Sequence, residues 1–155
     1  MWGHSESLQL KRKFELLDFK RFLNLAIFVR EIVKFRYARH TDNLEPLRWF
    51  YTKILHLELL GDFKSHDGYD GLFIGRSEMD WHLEFTTNNH AVLKEFDAES
   101  PLVFYVSIEE LEDIKKAIDL HKILILNHPN PYWQKNDAVF IKDPDGFPIL
   151  ITTHK

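Results

Sequence analysis

Apolar and polar positions along this chain follow two periods, and the same succession of periods occurs twice. Trp81, Leu83 and Phe85 alternate with His82 and Glu84, the period of a strand with one apolar and one polar face. Leu47, Phe50, Tyr51 and Ile54 recur instead at i, i+3, i+4 and i+7, a helical stripe. That helix is expected to start at Asp42, which forms a capping box with Glu45. It should run to about Leu55, with Pro46 in the first turn, where a missing N–H costs little. A second helix is expected from Ser107 to about His121, with Ser107 and Glu110 as its capping box and Leu111, Ile114 and Ile118 inward. β-Branched and aromatic runs predict strands at 32–38, 57–64, 72–75 and 81–87, then at 102–106, 123–127, 138–142 and 147–153. Turn residues at 66–71, 127–131 and 143–146 punctuate them, and the polar stretch 88–100 connects the halves.

The two capping boxes, the runs around Phe73 and Phe140, and the runs around Trp81 and Phe147 are all offset by about 65 residues. A constant offset across three kinds of element implies a duplicated supersecondary unit, βαβββ–βαβββ, with modules at about 31–90 and 101–155 meeting edge to edge. The fold class is therefore α+β, one domain over 31–155, and function is expected in the cleft the modules enclose. Residues 1–30 stand outside the repeat and have helical density with a broad apolar face and a local basic cluster. They are read as an extension that covers the domain or a dimer seam, with a membrane-surface or partner-binding helix as the alternative.

Charge and cysteine content remove several function classes. A net charge of −4 gives no basic field for nucleic acid. No cysteine is present, which excludes disulfides, thiolate metal sites and cysteine nucleophiles together. The longest apolar run near the start, 25–29, is too short to span a bilayer, and no cleavage signal follows it, so a cytoplasmic protein is expected. No glycine-rich phosphate loop or nucleophile elbow occurs.

Candidate chemistry gathers on few residues. His82 and Glu84 share a strand face, and His40 stands at the entrance to the first helix. Those three could hold a divalent ion with an open position. Tyr132 and Trp133, in a proline-rich loop, suit either a pocket wall or a plug over the core. His56 and His121 sit at helix ends, His66, His90 and His128 in loops, and Asp143 and Asp145 read as turn formers.

The duplicated unit, Phe50-Tyr51 on the first helix and Phe140-Ile141-Lys142-Asp143-Pro144-Asp145-Gly146 near the end together resemble the vicinal oxygen chelate superfamily, the group of glyoxalase I, bleomycin-resistance proteins and extradiol dioxygenases. Arg39-His40-Thr41-Asp42-Asn43, Tyr69-Asp70-Gly71, His82-Leu83-Glu84-Phe85-Thr86, Leu102-Val103-Phe104-Tyr105-Val106 and Asn130-Pro131-Tyr132-Trp133 resemble one bacterial branch of it more closely. The resemblance implies a cup-shaped mixed sheet, frequent dimerisation, and one divalent metal in the catalytic members. It puts the four ligand positions at Arg36, Glu84, near Pro101 and at Leu150. Only Glu84 has a ligating side chain, because a guanidinium has no lone pair to give and proline and leucine have no donor. The inherited metal site is therefore expected to be lost, with Arg36 paired to Glu84 in its place.

Three function classes remain open on these residues. The first is a metal-free cup binding a small, anionic organic molecule through Arg36, His40, Tyr132 and Trp133. The second is a metal-dependent lyase, isomerase or dioxygenase with the metal at His40, His82 and Glu84. The third is a metal-free acid/base enzyme using Glu84 and His82 as catalytic groups. A homodimer is expected in each case, without nucleic acid or membrane partners.

Overall fold

Each helix begins where an oxygen-bearing side chain meets an unpaired N–H. In the computed structural model, which describes residues 34–88, 90 and 95–153, the first helix, α1 (Leu44–Lys53), is capped by Asn43, whose Oδ1 accepts from the Glu45 N–H at 3.2 Å. Asp42, the expected cap, lies one residue outside, so the helix starts later than the capping-box pattern suggests. The second helix, α2 (Ile108–Leu120), follows the expectation, with the Ser107 hydroxyl accepting from the Glu110 N–H at 3.1 Å. Both helices are followed by a non-glycine residue in the left-handed region, His56 (φ 52°) and Lys122 (φ 58°), so their exits repeat as well as their starts.

Around α1 the chain forms β1 (Phe35–His40), β2 (Glu58–His66), β3 (Tyr69–Gly75) and β4 (Trp81–Thr87), a sheet in the order β1-β4-β3-β2. Around α2 it forms β5 (Leu102–Val106), β6 (Val139–Lys142) and β7 (Pro148–Thr153), in the order β5-β7-β6. The β1–β4 and β5–β7 pairs are parallel and the others antiparallel, so both modules have the same mixed topology. This is the duplicated α+β architecture read from the sequence.

One expected strand is nearly absent. Segment 123–127 makes a single bridge, Leu126 to Phe140, where the first module has the nine residues of β2. The exit of α2 explains the beginning of that segment: the Ile123 N–H returns to the Ile118 carbonyl (2.9 Å) and so cannot join a ladder. Pro129 and Pro131 then break the chain, and a short helix, α3 (Pro131–Lys135), occupies the space. The extension expected at 1–30, and with it His4 and His154, lies outside the described residues. Among the described residues no helix is long and apolar enough to cross a membrane.

Among the described residues the sheets of the two modules share no ladder. They meet through one core: Leu47, Phe50 and Ile54 of α1, Ile114 and Ile118 of α2, and Leu83, Phe85, Ile149 and Ile151 of the sheets belong to a single buried cluster. A polar knot crosses this core. Arg39 on β1 forms an ion pair with Asp143 of the second module, whose Oδ2 also accepts from the Tyr51 hydroxyl at 3.0 Å. Asp143 Oδ1 accepts from the Asp145 and Phe147 N–H groups, both at 2.9 Å, which closes the turn before β7. Thr41 donates to Asp145 at 3.1 Å, tying the end of β1 to the same turn. Asp145 Oδ2 forms a second ion pair with Arg39 at 3.6 Å, and the guanidinium lies over Phe147 (4.4 Å), Phe85 (5.1 Å) and Phe96 (5.4 Å), whose faces also attract its charge.

Burial, and then the neighbouring Asp143 charge, hold the Tyr51 hydroxyl well above the ordinary value of 10.0. Tyr51→Phe should cost about 1.5–3 kcal/mol by urea denaturation, the range for a hydrogen bond to a charged acceptor. The unfolded chain releases this proton first, so the contribution of Tyr51 is present below about pH 10 and lost as pH rises above it. The Phe variant should lose less stability than wild type over that alkaline range; an identical alkaline profile would contradict the assignment.

Candidate functional site

Side-chain alternation fixes what the first sheet shows on each face. Tyr37 and Arg39 on β1, and Leu83 and Phe85 on β4, point into the core, so Arg36, Ala38, His40, His82, Glu84 and Thr86 occupy the opposite face, the one the resemblance expects to be the concave face of the cup. Strand register lays this face out in three rows. Gly75, His82 and Arg36 form the first, Phe73, Glu84 and Ala38 the second, Gly71, Thr86 and His40 the third.

Arg36 reaches diagonally from the first row to the second, and its Nη1 lies 2.8 Å from Glu84 Oε2. The pairing expected from the resemblance is present. The carboxylate side chain is only 12% exposed and the guanidinium side chain 58%, so the arginine covers the glutamate and turns its other donors outward. His82 stands beside them with its ring edge-on to Phe73, centroids 5.4 Å apart. Partial burial first, then the positive charges of Lys34 and Arg36, hold its imidazole below the ordinary 6.5, against an opposing pull from Glu84. The ring is therefore neutral near pH 7.

His40 belongs to the face but not to the cluster. Its row lies two rows from that of His82, roughly 13 Å along the strands at about 3.3 Å per residue. There its Nδ1 is 3.2 Å from the Thr86 hydroxyl and its ring meets Tyr69 edge-on. The set His40, His82 and Glu84 is thus not brought together. Among the described residues no group of three or more His, Asp or Glu side chains is placed to hold a metal ion.

The inherited ligand positions do not fit a divalent ion either. Glu84 is engaged by Arg36, Pro101 offers no donor, and Leu150 is fully buried on β7. Leu150 pairs with Phe140, against whose ring His128 packs at 4.8 Å. The second module's counterpart of the concave face is therefore covered by its own chain. His128 is 3% exposed and fully engaged: the Asn130 N–H donates to Nδ1 (3.0 Å), so Nε2 has the proton and donates to the Ala98 carbonyl (2.9 Å). The loop reading of His128 understated this, because burial of a loop imidazole leaves no periodic trace. Tyr132 and Trp133 pack on each other on α3, rings 5.0 Å apart, and touch none of the concave-face residues through the ring contacts, ion pairs or hydrogen bonds of the described residues. Tyr132 is largely exposed, and no residue of α3 is buried.

Sequence reasoning missed Arg39, Lys34 and the apolar half of the face. Parity was a usable signal for Arg39, since it shares the core-facing phase of Tyr37. A concavity of about 330 Å³ opens on the opposite side of the sheet among Leu55, Trp81, Leu83, Phe104 and Ile114, with the Arg76–Glu110 ion pair and the exposed Phe35, Met79 and Tyr105 also lining it. Its two charged groups already pair with each other, so they are not free to orient a ligand.

Comparison with known proteins agrees with this geometry. The model of the YycE-like N-terminal domain family matches residues 35–86. The chain is 35% identical over 127 residues to the uncharacterized protein YycE of Bacillus subtilis (strain 168), covering 81% of this chain and 91% of that one. The 2.0 Å crystal structure of that B. subtilis protein, of unknown function, superposes with a TM-score of 0.71 over 79% of this chain and 90% of the other. Glyoxalase I of Leishmania major is similar in fold at 19% identity and TM-score 0.60, over 80% and 86% of the two chains. So is the fosfomycin resistance protein FosX of Listeria monocytogenes in its complex with Mn(II), at 10% identity and TM-score 0.62, over 83% and 95%.

The electrostatics of the strip are directly measurable. By NMR, the His82 imidazole should titrate below 6.5, move up in Arg36→Gln and move further down in Glu84→Gln. The unfolded chain takes up this proton at higher pH than the folded one, so His82 destabilises the fold as pH falls from 6.5 through its folded midpoint. A midpoint at or above 6.5, or shifts of the opposite sign, would refute the arrangement.

Proposed function

The chain belongs to the YycE-like family within the vicinal oxygen chelate superfamily, and from that premise we propose that it is a metal-free protein that binds a small organic molecule on the concave face of its first module. The observation that carries this reading is the Arg36–Glu84 contact of 2.8 Å at a position where the superfamily's catalytic members hold an ion. A guanidinium supplies a fixed positive charge there without coordination chemistry, and the glutamate beneath it is compensated as a buried carboxylate must be. To recruit a divalent ion, the site would have to release Arg36 and find further donors among proline and leucine. Metal-dependent glyoxalase-style chemistry is accordingly the less supported reading.

A second reading, metal-free acid/base chemistry, draws support from one observation. His82 is held neutral beside a shielded carboxylate, which suits it to accept a proton. The working unit in either reading is a homodimer. Phe35 on β1 is 59% exposed and Tyr105 on β5 is 56% exposed, and among the described residues each of these strands pairs on one side only. With the second module's own face covered, a partner copy is the available source of a far wall for the cup.

Thermal unfolding of the purified full chain tests the reading. Saturating Mn(II), Zn(II) or Ni(II) should leave Tm unchanged, whereas an ion held at 100 times its Kd would add about 2.7 kcal/mol, several degrees of Tm. A small organic molecule from a metabolite panel should raise Tm, and Arg36→Ala should abolish that rise. Stoichiometric metal in protein purified without chelator, lost on Glu84→Gln, would overturn the proposal.

A further inference from the structure

The concave face has two chemically different halves. Its β1–β4 half is the polar strip already described. Its β2–β3 half, between Glu58 at one end and His66 against Phe63 at the other, is apolar at its centre and low, for a reason written in three glycines. Gly71 and Gly75 lie on the concave face of β3, and Gly61 lies opposite Phe73 on β2. A Cβ on Gly71 would come within 2.3 Å of Phe63 Cζ, so the Phe63 ring reclines directly on that backbone. A Cβ on Gly75 would lie 3.1 Å from Leu60 Cδ1, and one on Gly61 3.6 Å from the Phe73 ring. Leu60, the residue bulged out of the β2 register, therefore leans the same way. The three apolar side chains lie along the sheet as a floor. Phe63 and Phe73 meet with centroids 5.7 Å apart, and Leu60 remains 40% exposed.

Along β4 the floor abuts a charged strip. Phe73 is the register partner of Glu84, and Arg36 stands over that carboxylate. Exposed Lys34 is close enough to act on His82, and exposed Glu58, the register partner of Gly75, lies at the far end of the same row. Arg36 engages Glu84 through Nη1 and has further N–H donors on an exposed side chain. A neutral ligand would leave those charged donors to water. A small hydrophilic anion would leave the floor wet.

We propose that the ligand of this site is an amphiphilic organic anion, with a carboxylate or similar oxyanion on Arg36 and a flat or branched apolar body on Leu60, Phe63 and Phe73. This rests on the reading of the concave face as a small-molecule site and adds the ligand's class to it. The two halves divide the work. The floor supplies area removed from water, and the guanidinium supplies orientation through a charge-assisted contact.

Chemical-shift mapping on the full chain separates the two claims, with 2-naphthoate, its neutral amide and acetate as probes. The naphthoate should perturb Phe73, His82 and Glu84 saturably, with the amide at least tenfold weaker and acetate without effect. Arg36→Gln should weaken naphthoate at least tenfold and leave the amide unchanged. Phe73→Ala and Leu60→Ala should weaken both aromatic probes, and spectra of the free variants report whether each has folded. Equal binding of amide and naphthoate on this face, or naphthoate binding indifferent to Arg36, would overturn the ligand class while leaving a small-molecule site in place. Failure of these probes and of a broad metabolite panel to perturb the face at all would overturn both.

Discussion

A single buried carboxylate organises the molecule. Asp143 receives Arg39 from β1, the hydroxyl of Tyr51 from α1 and two N–H groups of its own turn, so strand, helix and turn from both modules meet at one pair of oxygens. Each partner answers part of a desolvation penalty that would otherwise be several kcal/mol. The net contribution to stability can be small, as for other buried ion pairs, but the arrangement has no cheap substitute: removing one partner strands the others. Three aromatic faces around Arg39 complete the cage.

The consequence for the site is one of phase. Side chains on a strand alternate, so anchoring Arg39 inward forces Arg36 and His40 outward. The parallel ladder to β4 then carries the same phase across, and His82, Glu84 and Thr86 arrive on the concave face. The Arg36–Glu84 pair is therefore a downstream result of the Arg39–Asp143 pair on the other side of the same strand. The two arginines three residues apart do different jobs: one ties the modules together, and one lies over the Glu84 carboxylate on the opposite face. In the second module the equivalent face is taken over by the chain itself. His128 and Asn136 close over Phe140 and Thr152, and Leu150 is buried with them.

Most of the fold was legible because both periods recur at a constant offset, and a duplicated pattern constrains each copy by the other. Strands β4 and β5 fall where alternation and β-branching put them. What failed was decided by local hydrogen-bond competition that hydropathy does not register. Asn43 took the cap from Asp42, and the exit of α2 held Ile123 away from the sheet. The Arg36–Glu84 contact was legible only through family resemblance, since strand parity separates the phases of the two arginines without naming a partner for either. Parity would have flagged Arg39, and the equal phase of Gly71, Phe73 and Gly75 would have flagged a low apolar floor.

The claim that most of this rests on is the coupling between Arg39 and Asp143. A double-mutant cycle with Arg39→Met and Asp143→Leu, read by urea denaturation, measures it directly. Each single change should cost about 3–5 kcal/mol by removing one side of a buried ion pair, and the double should cost much less than the two together. Losses that add to within about 0.5 kcal/mol would mean the two residues act independently, and the account of how the modules are joined would be wrong.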